Sequence, residues 1–444
     1  MIRRALYALI AGGMSLLLLS VQSDAATDPV FGQIDSIVQS LSEITGLAEK
    51  HPVPYGRMTK RQLRHFLNKR IKKTLKPEEI YADELALKMF GFVPQDFDLR
   101  KSTVDLLTEQ AAAFYDYDEK KLFLLNDSSI GNETVTLAHE LAHALADQHF
   151  RLANFMEDTP SNDDENLAHS AVVEGEASWL MMAYMLKQAG QEPVPTPEAL
   201  RAVVDSSPAS MAEFPVLKEA PLYLRQSLLF PYTEGTKFFD AVYKRLGRQA
   251  FMAVFTNAPT DSAQIMHPER YFAHEQPAHP ALPQADSLKE AEEITEGSVG
   301  EFDHSMLLRQ FAGEGEASAL SPHVRGGQFR IMATGKGRKP VLQYSSEWDS
   351  PEKAAAFFAL YPKILNGKWK RCDISLAKSS VLAGTGDNGM FVVRLSGNTV
   401  RSLEGLSDAE EWRRLKAAPE ENVASRDIAA ADSIAGQLAV SKLH

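Results

Sequence analysis

Cysteine is nearly absent. Cys372 is the only one in 444 residues, so the chain has no intramolecular disulfide, and no cysteine near the N-terminus is available for acylation. Positive charge is also in deficit: 47 Lys+Arg against 59 Asp+Glu leave a net charge of −12, which excludes the broad cationic face that nucleic-acid binding requires. No GxSxG elbow occurs, and the Gly-Lys-Gly-Arg-Lys run at 335–339 lacks the spacing of a phosphate-cradling loop, so it reads as a turn. No repeat of fixed period is visible, and no segment beyond the first 25 residues is apolar enough to span a bilayer. With 44% hydrophobic residues the chain is neither disordered nor collagenous, and its length suits two or three domains with sizeable cores.

The first 25 residues have the build of an export signal. Arg3 and Arg4 precede an apolar run over 5–19, and Ser23-Asp24-Ala25 supplies small residues at −3 and −1 for a signal peptidase. The expectation is a cleaved signal and a soluble periplasmic or secreted protein without a stable membrane anchor.

Apolar residues recur at helical spacing through Ile34, Ile37, Val38, Leu41, Ile44 and again through Leu63, Phe66, Leu67, Ile71, which predicts a helical N-terminal lobe over 26–110. The basic stretch 60–76 reads as a solvated helix face. Residues 113–125 place two aromatic and aliphatic runs around an Asp/Glu/Lys turn, the pattern of a β-hairpin. A helix then follows over 133–150 with Asn132 as its cap, a polar loop over 158–166, and a second long helix over 167–188. Further helices are expected at 234–246 and 248–255. Strands at 328–333, 341–345, 368–374 and 390–395, with helices at 351–365 and 408–417, predict a small α+β domain over 322–418 and a weakly structured tail over 419–444. The fold class is α+β and mainly helical.

The chemistry concentrates at His139-Glu140-Leu141-Ala142-His143. Histidines at i and i+4 share one helix face, so both imidazoles reach a single metal, while Glu140 sits at the edge of that site, placed to take a proton from a metal-bound water. A hydrolytic zinc site takes three protein ligands, and Glu174, on the following helix, is favoured as the third. Glu176, two positions on and far around the helix, is the competitor. Glu174 is preferred because Ser178 then falls one turn later on the metal-facing side, and because Gly175 allows a close helix approach. Asp147, four residues after His143, extends the same stripe as an acceptor for a ligating imidazole. His149 and His169 point elsewhere. Tyr232 and His267 are candidate donors to the oxyanion of a tetrahedral intermediate.

This HExxH helix with a downstream glutamate resembles the gluzincin branch of zinc metallopeptidases. The segments Phe230-Pro231-Tyr232-Thr233-Glu234-Gly235 and Met266-His267-Pro268-Glu269-Arg270-Tyr271 are similar to stretches in secreted bacterial proteins of this type, so the resemblance covers about 110 to 275. It implies a zincin-like catalytic domain over 111–300, zinc on His139, His143 and Glu174, Glu140 as general base, and an edge strand at 113–125 that holds extended peptide. Where many gluzincins carry Asp four residues after the glutamate ligand, this chain has Ser178. Two other readings stay open: a zincin-fold binding or scaffold protein without turnover, and a zinc amidase acting on a non-protein amide.

Overall fold

Buried apolar positions Ile34, Ile37, Val38, Leu41 and Ile44 make one face of α1 (Ile34–Thr45). The computed structural model describes residues 30–126, 133–157, 162–201 and 214–418. The signal segment, the cap at Asn132, part of the 158–166 loop and the 419–444 tail lie outside them. The fold is α+β and mainly helical. Among the described residues, no helix is long and apolar enough to cross a membrane.

The chain divides into two units, residues up to 278 with 295–322, and residues 279–294 with those from 323 onward. In the first, β1 (Tyr55–Met58) precedes α2 (Lys60–Thr74), α3 (Pro77–Phe90) and α4 (Leu99–Gln110). α2 starts at Thr59, whose hydroxyl accepts from the Gln62 N–H while the Gln62 side chain accepts from the Thr59 N–H. The hairpin β2 (Ala113–Asp116) and β3 (Lys121–Leu125) completes a three-stranded sheet in the order β1-β3-β2, with β1 parallel to β3 and β2 antiparallel to it. The strand at 55–58 was not visible in the sequence, because its Tyr-Gly-Arg-Met run carries no alternation. Residues 30–110, read above as a lobe of their own, share this unit with the HExxH helix.

β2 is an edge strand. Leu125 N–H donates to Ala112 O at 2.8 Å, and the ladder alternates from there, so the N–H of Tyr115 points away from β3. Against that edge packs α5 (Glu133–Phe150), which also contacts α1 and α6 (Asp163–Gln188). Every residue from 166 to 184 is buried, as expected for a helix at the centre of a unit. α6 begins four residues earlier than its apolar pattern suggested, because the Asn162 side chain accepts from the Glu165 N–H and caps it.

α7 (Leu222–Leu246) lies along α6 and runs through Pro231, where the sequence reading broke the chain and began a helix only at 234. Proline costs an interior helix one hydrogen bond, and tertiary packing overrides that cost here: Phe230 and Pro231 are both buried. The unit closes with α8 (Glu301–Phe311) and α9 (Glu314–Leu320).

The second unit is built on a seven-stranded sheet in the order β4-β5-β6-β10-β9-β8-β7: β4 (Glu292–Ser298), β5 (Val324–Thr334), β6 (Lys339–Trp348), β7 (Cys372–Ala377), β8 (Val381–Gly386), β9 (Gly389–Ser396) and β10 (Thr399–Leu406). The last residues of β4 belong to the first unit. α10 (Pro351–Lys368) buries Phe357, Tyr361, Ile364 and Leu365, and α11 (Ala409–Ala417) packs on β8 and β9. The Gly335-to-Arg338 segment is the β5–β6 turn, with φ of 63° at Gly335 and 48° at Arg338. A buried ion pair between Lys368 and Glu404 is completed by Tyr361 and Ser402, which both donate to Glu404. Strands β4, β8 and β10 escaped the sequence reading; β10 carries Arg401, Ser402 and Glu404 among its apolar residues, which blurs its period.

Candidate metal centre

One turn of α5 separates His139 from His143, and α6 brings Glu174 against both. The two Nε2 atoms are 3.1 Å apart, and Glu174 Oε2 is 3.2 Å from His139 Nε2 and 3.4 Å from His143 Nε2. All three residues are buried, with no more than 2% of their surface exposed. An Nε2 that donates a proton has no lone pair left to accept with, so hydrogen bonds cannot close all three edges of this triangle in any tautomer. A cation bound by three lone pairs can. Zinc with ligands at about 2.0–2.1 Å in tetrahedral geometry spaces its donors about 3.3–3.4 Å apart, which matches these edges. The donor set therefore fits a metal, and among the described residues it is the one cluster of this kind.

Burial opposes ionisation of Glu174, yet the charge on His143 and hydrogen bonds from both imidazoles outweigh it and bring its pKa down to about 2. Glu176 lies outside the triangle. It is fully buried, its Oε2 has no hydrogen-bond partner, and burial pushes its pKa up to about 8.

Gly175 permits a close helix approach, but to α7 rather than to α5. A Cβ built on Gly175 would lie 2.2 Å from the carbonyl carbon of Gly235, and one on Gly235 would lie 2.2 Å from Ala171 O. Backbone contact at that crossing sets Glu174 on α6 beside Tyr232 on α7, three residues before Gly235. The Tyr232 hydroxyl donates to Glu174, and its ring stacks near His139 at 6.1 Å between centroids. Tyr232 thus sits inside a long helix rather than ahead of the helix expected from 234, and it holds the Glu174 carboxylate.

Glu140 is also fully buried, and its Oε2 accepts from the outward-pointing Tyr115 N–H of β2 at 2.7 Å. The edge strand thereby fixes the direction of this carboxylate. Asp147 does not reach either imidazole. Its Oδ2 accepts from Lys120 Nζ at 2.6 Å and Tyr115 Oη at 3.1 Å, and its Oδ1 from the Leu152 N–H at 2.8 Å. It clamps the hairpin to α5. Ser178 is buried on α6 but makes no hydrogen bond to His139 or His143, and His143 Nδ1 has no partner.

His267 is committed elsewhere: its Nε2 is 2.8 Å from Glu301 Oε1, and that hydrogen bond raises its pKa. His149 and His169 contact the carbonyls of Ala48 and Phe155. The residue that sequence reasoning missed is Tyr117, at the first position of the β2–β3 turn. It is fully buried, its ring lies edge-on to His143 at 6.2 Å, and its hydroxyl has no hydrogen-bond partner. Burial, with Glu174 and Glu140 adding their charge, holds the phenol well above its ordinary pKa. The available signal was the Tyr115-x-Tyr117 spacing directly ahead of the HExxH helix.

No protein-family model matches this chain, and no curated protein or solved structure matches it either.

Proposed function

We propose that the protein is an exported zinc-dependent peptidase whose metal is held by His139, His143 and Glu174. One observation carries the reading: three donor atoms stand 3.1–3.4 Å apart in a buried site, where hydrogen bonds from both imidazoles to Glu174 leave the 3.1 Å contact between the two ring nitrogens without a shared proton, with the Glu140 carboxylate beside them and outside the ligand set. Two imidazoles and a glutamate are a donor set of hydrolytic zinc sites, which leave a position for water. Zinc bound there supplies a Lewis acid that polarises a scissile carbonyl and lowers the pKa of water toward ~7.

The chain's own groups do the rest. Glu140, aimed by the Tyr115 N–H, accepts the proton of the attacking water and hands it to the leaving amine. Tyr232 holds Glu174 in register. A closed structural zinc site takes four protein ligands and has no use for a free carboxylate, which argues against a scaffold without turnover. The burial of every one of these groups, and the engagement of the β2 edge N–H by Glu140, favours a second reading in which the substrate is a small amide rather than an extended chain.

The test uses the mature protein and Glu140→Gln in parallel, with a quenched protein substrate and a panel of small amides. The proposal requires one zinc per chain in both, cleavage by the unmodified protein alone, and loss of cleavage with chelator. Cleavage of small amides only selects the second reading. Zinc without cleavage of either class selects the scaffold.

A further inference from the structure

We propose that Tyr117 donates the hydrogen bond that holds the substrate's carbonyl oxygen while that oxygen gains negative charge. The inference rests on the hydrolase reading above and assigns the donor which that reading needs. Tyr232, His267 and Tyr117 are of the right type for the role, and the first two are engaged. Tyr232 donates to Glu174, and His267 is hydrogen-bonded to Glu301. Tyr117 alone of the three brings a hydroxyl that is buried and has no partner.

Such a group is costly to a fold, because a buried donor left unpaired loses its bond to water and gains nothing. Its retention is explained when the missing acceptor is the substrate. The hydroxyl is also held in place. Tyr117 follows Asp116, whose Oδ1 accepts from Arg70 at 3.1 Å and from the Asp118 N–H at 2.9 Å, and Arg70 pairs with Asp118 at 3.2 Å. On the other side of the turn, Lys120 is tied to Asp147 on the metal-binding helix. The turn is therefore fixed to α2 and to α5 at once, so the phenol is oriented before substrate arrives, as electrostatic stabilisation of a transition state demands.

The chemical step balances without any further reagent. Water oxygen bonds to the carbonyl carbon as its proton passes to Glu140, and the C=O π pair moves onto the carbonyl oxygen, to which Tyr117 donates while keeping its proton. The C–N bond then breaks, and the nitrogen takes the proton that Glu140 held.

The test compares the parent with Tyr117→Phe for zinc content, thermal midpoint of the metal-free protein, and kcat and KM on whichever of the two substrate classes the parent cleaves. The expected variant keeps one zinc per chain, melts no lower than the parent because an unpaired hydroxyl has been removed, and loses about 100- to 1000-fold in kcat with KM changed only a few-fold. A variant with parental kcat overturns the proposal while leaving the hydrolase reading intact. So does a variant that melts lower and loses activity only in proportion to unfolded protein. A parent that binds zinc and cleaves nothing overturns both.

Discussion

Replacing Gly175 with alanine tests the packing that builds the site, because its added methyl would meet backbone. The new Cβ lies 2.2 Å from the Gly235 carbonyl carbon and 2.3 Å from its oxygen, roughly 1.2 Å inside ordinary contact at 3.4 Å. No side chain can turn away to relieve this, so α6 and α7 must separate. Overpacking of this kind costs about 1–3 kcal/mol. For a unit of this size 1 kcal/mol moves the thermal midpoint by about 2–4 °C, so the variant should melt about 2–12 °C below the parent. The separation also draws Glu174 and Tyr232 apart, which predicts a drop of about tenfold or more in zinc affinity by chelator competition. Gly315, in the first turn of α9 with nothing within 4 Å of its Cβ position, is the control: Gly315→Ala should melt no lower than the parent. A Gly175→Ala protein that melts with the parent and holds zinc as tightly refutes the argument.

Two further outcomes follow from the same contacts. Asp147→Asn should lower the thermal midpoint, by about 1–3 kcal/mol in stability, as Lys120 loses its charge partner; zinc affinity should be unchanged, whereas an Asp147 that tuned a ligating imidazole would change it. Asp261 is pushed up to about 7 by burial and by the charge of neighbouring Asp164. A carboxyl whose pKa is raised on folding favours the folded state when protonated, so this contribution is full below about pH 4 and is lost as pH rises through about 7. Asp261→Asn, which keeps the oxygen that caps the helix at Ser262–Met266, should differ little from the parent near pH 4 and gain a growing margin in thermal midpoint up to a plateau above pH 7. A margin independent of pH contradicts that assignment.

The elements with strong single-period patterns were legible from sequence. α1, α5, α10 and the hairpin at β2 and β3 follow directly from spacing, and the His139, Glu140, His143 and Glu174 grouping followed from i, i+4 geometry plus a carboxylate on the next helix. What the sequence hid depends on contacts between distant residues. Pro231 reads as a break until the packing that keeps α7 continuous is known, and Gly175 faces Gly235, 60 positions away, which no local pattern reveals. Asp147 lies on the right helical stripe, yet Lys120 and Tyr115 take its oxygens because the hairpin turn folds back onto α5. Tyr117 was passed over for a related reason. An unpaired hydroxyl is defined by what surrounds it, and only the fold supplies that.

The most direct test of the central claim is the metal content of the purified full chain, set beside Glu174→Gln and followed through chelation and zinc readdition. The account predicts one zinc per chain in the parent, a fall in thermal midpoint on chelation that zinc reverses, and a large loss of zinc affinity in Glu174→Gln. A parent that retains no zinc when it is supplied in slight excess, or a Glu174→Gln protein that binds it as tightly as the parent, contradicts the assignment of His139, His143 and Glu174 as a metal centre.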